Sequence, residues 1–282
     1  MKLNAKKHFV IFLMIFSILL GLIANVNVIS PFVVRAAPLP AITRTIGAEN
    51  VSIGMADNNG VIEVTGNTGD VFGQQGIIII EAGVTVTLIL NNITRSSATG
   101  NGTSSESPIQ IKPGANVTII LMDGTVNELT CNSNNTSANA PAAGIHVPSG
   151  ASLTILGDEL NTGELTCYAG AYGAGIGGGP NEACGNITIL GGKVDAYTRV
   201  YGHSGVGSAP ANGAGIGSGG GRTGAGGGNA SSTILIGGNA IVDAKSAGNG
   251  AGIGGGGSNV ANGGLSGLIE IFGNAQVTAS ST

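Results

Sequence analysis

A three-residue phrase recurs along most of the chain and limits what the chain can fold into more than any other feature. It reads Val86-Thr87-Leu88, Val117-Thr118-Ile119, Leu153-Thr154-Ile155, Ile187-Thr188-Ile189, Ile234-Leu235-Ile236 and Ile269-Glu270-Ile271. The central residues lie 31, 36, 34, 47 and 35 positions apart. A unit this short cannot bury its own apolar side chains, so copies must stack and cover one another, which is the logic of a solenoid.

Each unit holds three short strands. The first carries Ile78/Ile80, Ile109/Ile111 or Ile145/Val147, and a turn at Gly83, Gly114 or Gly150 leads to the recurrent triplet. A second turn, Met122-Asp123-Gly124 in one unit, leads to a third strand. Its inward pairs read Leu129/Cys131, Leu165/Cys167, Val194/Ala196, Val242/Ala244 and Val277/Ala279. Period-two alternation bounded by Gly, Asn and Asp is the strand signature. The sequence therefore predicts an all-β fold, a right-handed parallel β-helix of about six turns over residues 76–282. The hand follows the usual preference of crossovers between parallel strands. Residues 37–75, with Val61-Ile62-Glu63-Val64 as their best strand, read as a β-rich entry or cap segment. The chain stops at Ala279-Ser280-Ser281-Thr282 directly after a third strand. An open solenoid end exposes a sheet edge, so the repeat array reads as truncated there, or as ending on a surface that docks on another protein.

Glycine supplies 52 residues without a strict three-residue period, which excludes a collagen-like chain. In the last three units the first strand becomes Gly173-Ala174-Gly175-Ile176-Gly177-Gly178-Gly179, Gly213-Ala214-Gly215-Ile216-Gly217 and Gly250-Ala251-Gly252-Ile253-Gly254-Gly255-Gly256-Gly257. No Lys-Ser/Thr ending or following helix makes these phosphate loops, and no Asp stands where a calcium-binding nonapeptide needs one. The Ala-Gly-Ile-Gly-Gly-Gly phrase, with Asn186-Ile187-Thr188-Ile189 and Lys193-Val194-Asp195-Ala196 after it, resembles the glycine-rich repeats of secreted or wall-attached Gram-positive bacterial proteins. More distantly it is similar to the pectin-lyase-like parallel β-helix superfamily, which includes non-catalytic carbohydrate-binding members. The resemblance covers about residues 76–282 and implies an extracellular β-helix used in surface attachment or glycan contact. The clustered carboxylates and basic residues of that superfamily's enzymes are missing.

Residues 1–36 read as an export signal: Lys2, Lys6 and Lys7, an apolar run from Phe9 to Ile23, and Val34-Arg35-Ala36 with small residues at the cleavage positions. Left uncleaved, the segment is a membrane anchor. Either way the repeats are secreted or held at the cell surface. Removing it takes away four of the 11 basic residues and none of the 15 acidic ones, so the net charge moves from −4 to −8. No basic stripe then remains to neutralise phosphates, which argues against a nucleic-acid partner. Cys131 and Cys167 sit in the matching phrases Glu128-Leu129-Thr130-Cys131 and Glu164-Leu165-Thr166-Cys167. Later units place Ala there, so these thiols read as tightly packed and inward. A disulfide between neighbouring rungs is open on distance alone.

All four tyrosines fall together. Tyr168 and Tyr172 leave one third strand, and Tyr197 and Tyr201 leave the next at matching offsets. Stacked turns would set Tyr168 beside Tyr197 and Tyr172 beside Tyr201, with Arg199 and His203 at the edge. Aromatic faces with a hydroxyl suit a sugar ring, and rings that merely cover the end of the core are the alternative. Asp195 and Asp243 take equivalent outward positions, a weak candidate for cation binding or acid–base work. The threonine ladder is explained by β-propensity. No cofactor motif, nucleophile–base pair or carboxylate triad can be assembled. The sequence thus points to a non-enzymatic structural or adhesive surface module, with a polysaccharide or cell-wall glycan as its ligand if it has one. The competing reading is a polysaccharide lyase or hydrolase centred on Lys193, Asp195, Asp243 and Arg199.

Overall fold

Alternating Ile, Val and Leu separated by polar residues produce strands with one apolar edge, and here those edges all meet. The structure is a computed structural model that describes residues 42, 44–67, 76–97, 106–132, 141–199, 201–203, 206–209, 211–221, 228 and 232–282, with backbone alone over 201–209. The export signal lies outside the described residues, as do the side chains of Tyr201 and His203.

The chain winds as a parallel β-helix. The first sheet has eight strands: Arg44–Ile46, Val61–Val64, Thr85–Leu90, Asn116–Leu121, Ser152–Gly157, Asn186–Ile189, Thr233–Ile236 and Leu268–Ile271. The second has seven, running from Val51–Ile53 and Ile78–Ile80 to Ile216–Gly217 and Ile253–Gly254. The third has six: Thr94–Ser97, Val126–Cys131, Glu164–Tyr168, Lys193–Tyr197, Ile241–Ser246 and Gln276–Ser281. From Ile78 onward the path visits the second, first and third sheets in turn, six times over. An antiparallel hairpin, Tyr201–His203 with Val206–Ala209, stands apart from all three sheets.

Register in the first sheet follows the recurrent triplet. Thr87, Thr118, Thr154, Thr188, Leu235 and Glu270 stack in one outward column. The flanking inward columns, Val86-Val117-Leu153-Ile187-Ile234 and Leu88-Ile119-Ile155-Ile189-Ile236, are buried. Each such side chain contributes roughly 1.5–3 kcal/mol relative to exposure. The last turn is the least covered, and Leu268, Ile271 and Phe272 are exposed.

The entry segment joins the sheets: Arg44–Ile46 and Val61–Val64 are rungs of the first sheet and Val51–Ile53 a rung of the second. One expectation needs correction. In the third sheet, Cys167 lies opposite Leu129 rather than Cys131, and Leu165 opposite Asn127. The cause is turn length. Leu121 and Gly157 are level in the first sheet, yet the level residues of the third are Val126 and Glu164, so the later turn holds two more residues. That longer turn is held by Asp123, whose carboxylate accepts from the amides of Leu160 (2.7 Å) and Thr162 (2.9 Å). A slip of two keeps every side chain on its own face. Asn127 fills the vacated inward place and is satisfied by Ile93 N–H, Thr125 Oγ1 and the Glu164 carbonyl. Cys131, Cys167 and Cys184 are buried, and burial above all pushes the Cys167 thiol up.

The Gly-Ala-Gly-Ile-Gly runs are explained by backbone packing on backbone. Ala174, Ala214 and Ala251 donate to the carbonyls of Gly178, Ser218 and Gly255, closing the same tight loop in three turns. Gly177 and Gly217 adopt φ of 140° and 137°, and a Cβ on either would collide with the carbonyl oxygen of the next rung's glycine. Only glycine fits there.

Candidate functional site

The outer face of the third sheet carries the polar and aromatic residues singled out above. Inward Leu165, Cys167, Val194, Ala196, Val242 and Ala244 anchor the strands, which turns the intervening residues outward in three columns. One runs Glu164, Lys193, Ile241, Gln276; the next Thr166, Asp195, Asp243, Thr278; the third Tyr168, Tyr197, Lys245, Ser280. An open groove lies along these columns, lined by Lys193, Asp195, Tyr197, Asp243 and Thr278.

Tyr168 and Tyr197 are brought together as their offsets require, with ring centroids 5.8 Å apart and planes inclined at 41°. Lys245 takes the next place in the column and ends the aromatic pair. Arg199 reaches back one rung, its guanidinium carbon 4.4 Å from the centroid of the Tyr168 ring, within cation–π range. Tyr197 leans toward the following rung and donates its hydroxyl to Asp243 Oδ2 at 2.9 Å. Burial, and next the carboxylate it already serves, push this phenol well above its usual range.

Tyr172 does not join the pair. Its backbone bends at φ 58° and its ring is buried, with 8% exposure. A ring so buried is not available as a ledge for a sugar. Tyr201 lies on the detached hairpin, so the structure brings together Tyr168, Tyr197 and Arg199 of the six expected ligand contacts.

Asp195 and Asp243 occupy adjacent rungs of one column. Burial lifts the Asp195 carboxyl above its ordinary range; Lys193 opposes this, and Asp243 and Glu164 reinforce it. Lys193 stands 2.8 Å from Glu164 Oε2 and 3.8 Å from Asp195 Oδ2. Its ammonium is held up mainly by the hydrogen bond to Glu164. Among the described residues no three His, Cys, Asp or Glu side chains converge as a metal site.

Some polar atoms on this face have no partner. Nε and Nη2 of Arg199, Oδ1 of Asp243 and Oγ of Ser280 are shielded from solvent and lack a hydrogen bond. Two buried polar groups elsewhere were not legible in the sequence. Arg95 enters the core at the first rung of the third sheet, and His146 Nε2 meets Glu182 Oε2 at 2.6 Å on the outer side of the second. His146 stands one rung before the glycine column Gly177-Gly217-Gly254, where an alignment of rungs exposes it as the last side chain in its line.

No family model matches the chain, and no curated protein or solved structure shows significant similarity to it.

Proposed function

We propose that this β-helix is a secreted or surface-held structural and adhesive module whose third-sheet face binds polysaccharide. The observation that carries the reading is the Tyr168–Tyr197 pair, set 5.8 Å apart on consecutive rungs beside a polar groove. Aromatic rings lose little entropy on binding and offer an apolar surface to the C–H face of a sugar. Asp195, Asp243, Thr278 and Lys193 supply acceptors and donors for hydroxyl groups alongside. A platform two rings wide binds weakly, so affinity at a surface comes from many copies acting together. A glycan array comparing wild type with the Tyr168→Ala/Tyr197→Ala double variant tests the proposal. Glycans retained by wild type and lost by the folded double variant support it; equal retention removes the site.

A second reading rests on the raised carboxyl of Asp195 one rung from Asp243, since burial that lifts a carboxyl above its ordinary range moves it toward general-acid work. On that reading the module is a polysaccharide lyase or hydrolase. New reducing or unsaturated ends from acidic glycans, abolished by Asp195→Asn, would establish it in place of simple binding.

A further inference from the structure

Five Asn-Gly pairs occur along the chain: Asn59-Gly60, Asn101-Gly102, Asn212-Gly213, Asn249-Gly250 and Asn262-Gly263. The second lies outside the described residues. In such a pair the main-chain nitrogen of the glycine can attack the side-chain amide of the asparagine, because no Cβ stands in the way. The attack also requires both groups to be free to approach. Three of the four described pairs are held. The Gly60 N–H donates to the Asp57 carbonyl at 2.8 Å, and the Asn59 N–H to that of Thr85 at 2.6 Å. Asn212 is buried, its Oδ1 accepting from the Asn249 N–H at 3.3 Å and its Nδ2 donating to Asn259 Oδ1 at 3.1 Å. Asn249 Nδ2 donates to the Ser258 carbonyl at 3.2 Å and to Asn259 Oδ1 at 2.8 Å. Its neighbour Gly250 is buried against the Gly213 carbonyl, too close for a Cβ. The fourth pair differs. Asn259, and the Gly264 N–H that donates to the Gly256 carbonyl at 2.7 Å, pin the two ends of a short arch. Between them Asn262 and Gly263 are exposed. Among the described residues, no hydrogen bond holds the Asn262 side chain or the Gly263 N–H. A Cβ built on Gly263 would meet no atom nearer than 3.4 Å, so the arch has room to close into a ring.

We propose that Asn262 is a site of spontaneous covalent modification, deamidation through a cyclic imide. The main-chain nitrogen of Gly263 loses its proton to solvent base and attacks Cγ of Asn262. A new C–N bond forms, the bond from Cγ to Nδ2 breaks, and Nδ2 takes up a proton and leaves as ammonia. Water then opens the five-membered imide at either carbonyl, giving its hydroxyl to the carbon and its proton to the nitrogen. One opening yields aspartate; the other yields isoaspartate, with the main chain running through Cγ. Water is the only co-reactant. Either product adds one negative charge, moving the net charge from −4 to −5. Between residues 259 and 282 only Glu270 is charged, so the new carboxylate doubles the charge of that stretch. The same loop exposes Val260 and Leu265, where an added charge opposes association through apolar surface.

Peptide mapping by mass spectrometry, after incubation in heavy-oxygen water at mildly alkaline pH, tests this on the folded chain and on the chain held unfolded in guanidinium chloride. In the folded protein the Asn262 peptide should take up label, as both aspartate and isoaspartate, about tenfold or more faster than the Asn59, Asn212 and Asn249 peptides, which must first open locally. In the unfolded chain the four rates should converge to within about threefold. Gly263→Val places a branched side chain beside the attacking nitrogen and should slow labelling at Asn262 by about tenfold or more, with circular dichroism confirming the fold. Labelling at Asn262 that is absent, or no faster than at the other three, overturns the proposal. The same order of rates in folded and unfolded chains overturns it too, since local sequence and not the exposed arch would then be the cause. Labelling at full rate in Gly263→Val, or aspartate without isoaspartate, would show direct hydrolysis of the side-chain amide and overturn the imide route.

Discussion

Arg95 offers the sharpest test of how the solenoid begins. It lies in the inward column that continues through Leu129, Cys167, Ala196 and Ala244, a place where later turns carry apolar side chains. It is fully buried. Its guanidinium donates to the carbonyls of Gly76 at 2.8 Å, Glu49 at 3.3 Å and Gly47, tying the chain before the first complete turn to the core. Burial lowers its pKa to about 10, which corresponds to roughly 3 kcal/mol against the charged form. Arg95→Met relieves that cost but leaves three carbonyls without a donor, at about 1–3 kcal/mol each. The net expectation is a loss of about 3 kcal/mol, or a melting temperature lower by about 10 °C for a domain of this size. Arg95→Lys keeps a charge that cannot span three acceptors and should lose at least as much. Far-ultraviolet circular dichroism during heating reads both. A methionine variant melting within about 2 °C of wild type, or above it, refutes the reasoning.

Leu129→Cys should cross-link to Cys167 under mild oxidation, because directly opposed residues on neighbouring rungs lie ~4.8 Å apart; a Cys131–Cys167 bond found by peptide mapping of the wild type would instead reject the register. Gly217→Ala should cost at least ~2 kcal/mol, since its φ of 137° and the facing Gly254 carbonyl both oppose a side chain; a variant as stable as wild type contradicts that packing. Asp195→Asn should raise the melting temperature at neutral pH. The folded Asp195 carboxyl sits above its unfolded pKa, so its ionisation penalty builds as pH rises from about 4 through the folded value, and is absent below. The gain should therefore fade in melts below about pH 4, and a gap independent of pH would show that this carboxyl is not the cause.

The columns of the first sheet were legible because the Val-Thr-Leu type of triplet places one residue type at one height in each turn. Tyr168 and Tyr197 were legible for the same reason: equal offsets from aligned strands bring equal positions together. The third-sheet register at Leu129 was not, because a displacement of two residues leaves an alternating pattern unchanged and only the longer turn after Gly157 reveals it. Tyr172 shares its spacing with Tyr201, yet a single left-handed backbone step turns its ring under the surface. Arg95 follows Ile93 at inward spacing in a short polar strand, and its charge disguises a core position. The hydrogen bond from Tyr197 to Asp243 joins side chains 46 positions apart, a relation that needs the turn lengths before it can be read.

The chain contains no Trp and four Tyr, so its intrinsic fluorescence reports on tyrosines alone. Titrating that emission with glycans retained on the array measures the proposed site directly, with Tyr168→Ala/Tyr197→Ala as the reference. The account predicts a saturable change in wild type that follows the calorimetric binding curve and disappears in the folded double variant. Saturable binding by calorimetry with no change in tyrosine emission, or with the same change in both proteins, would contradict it.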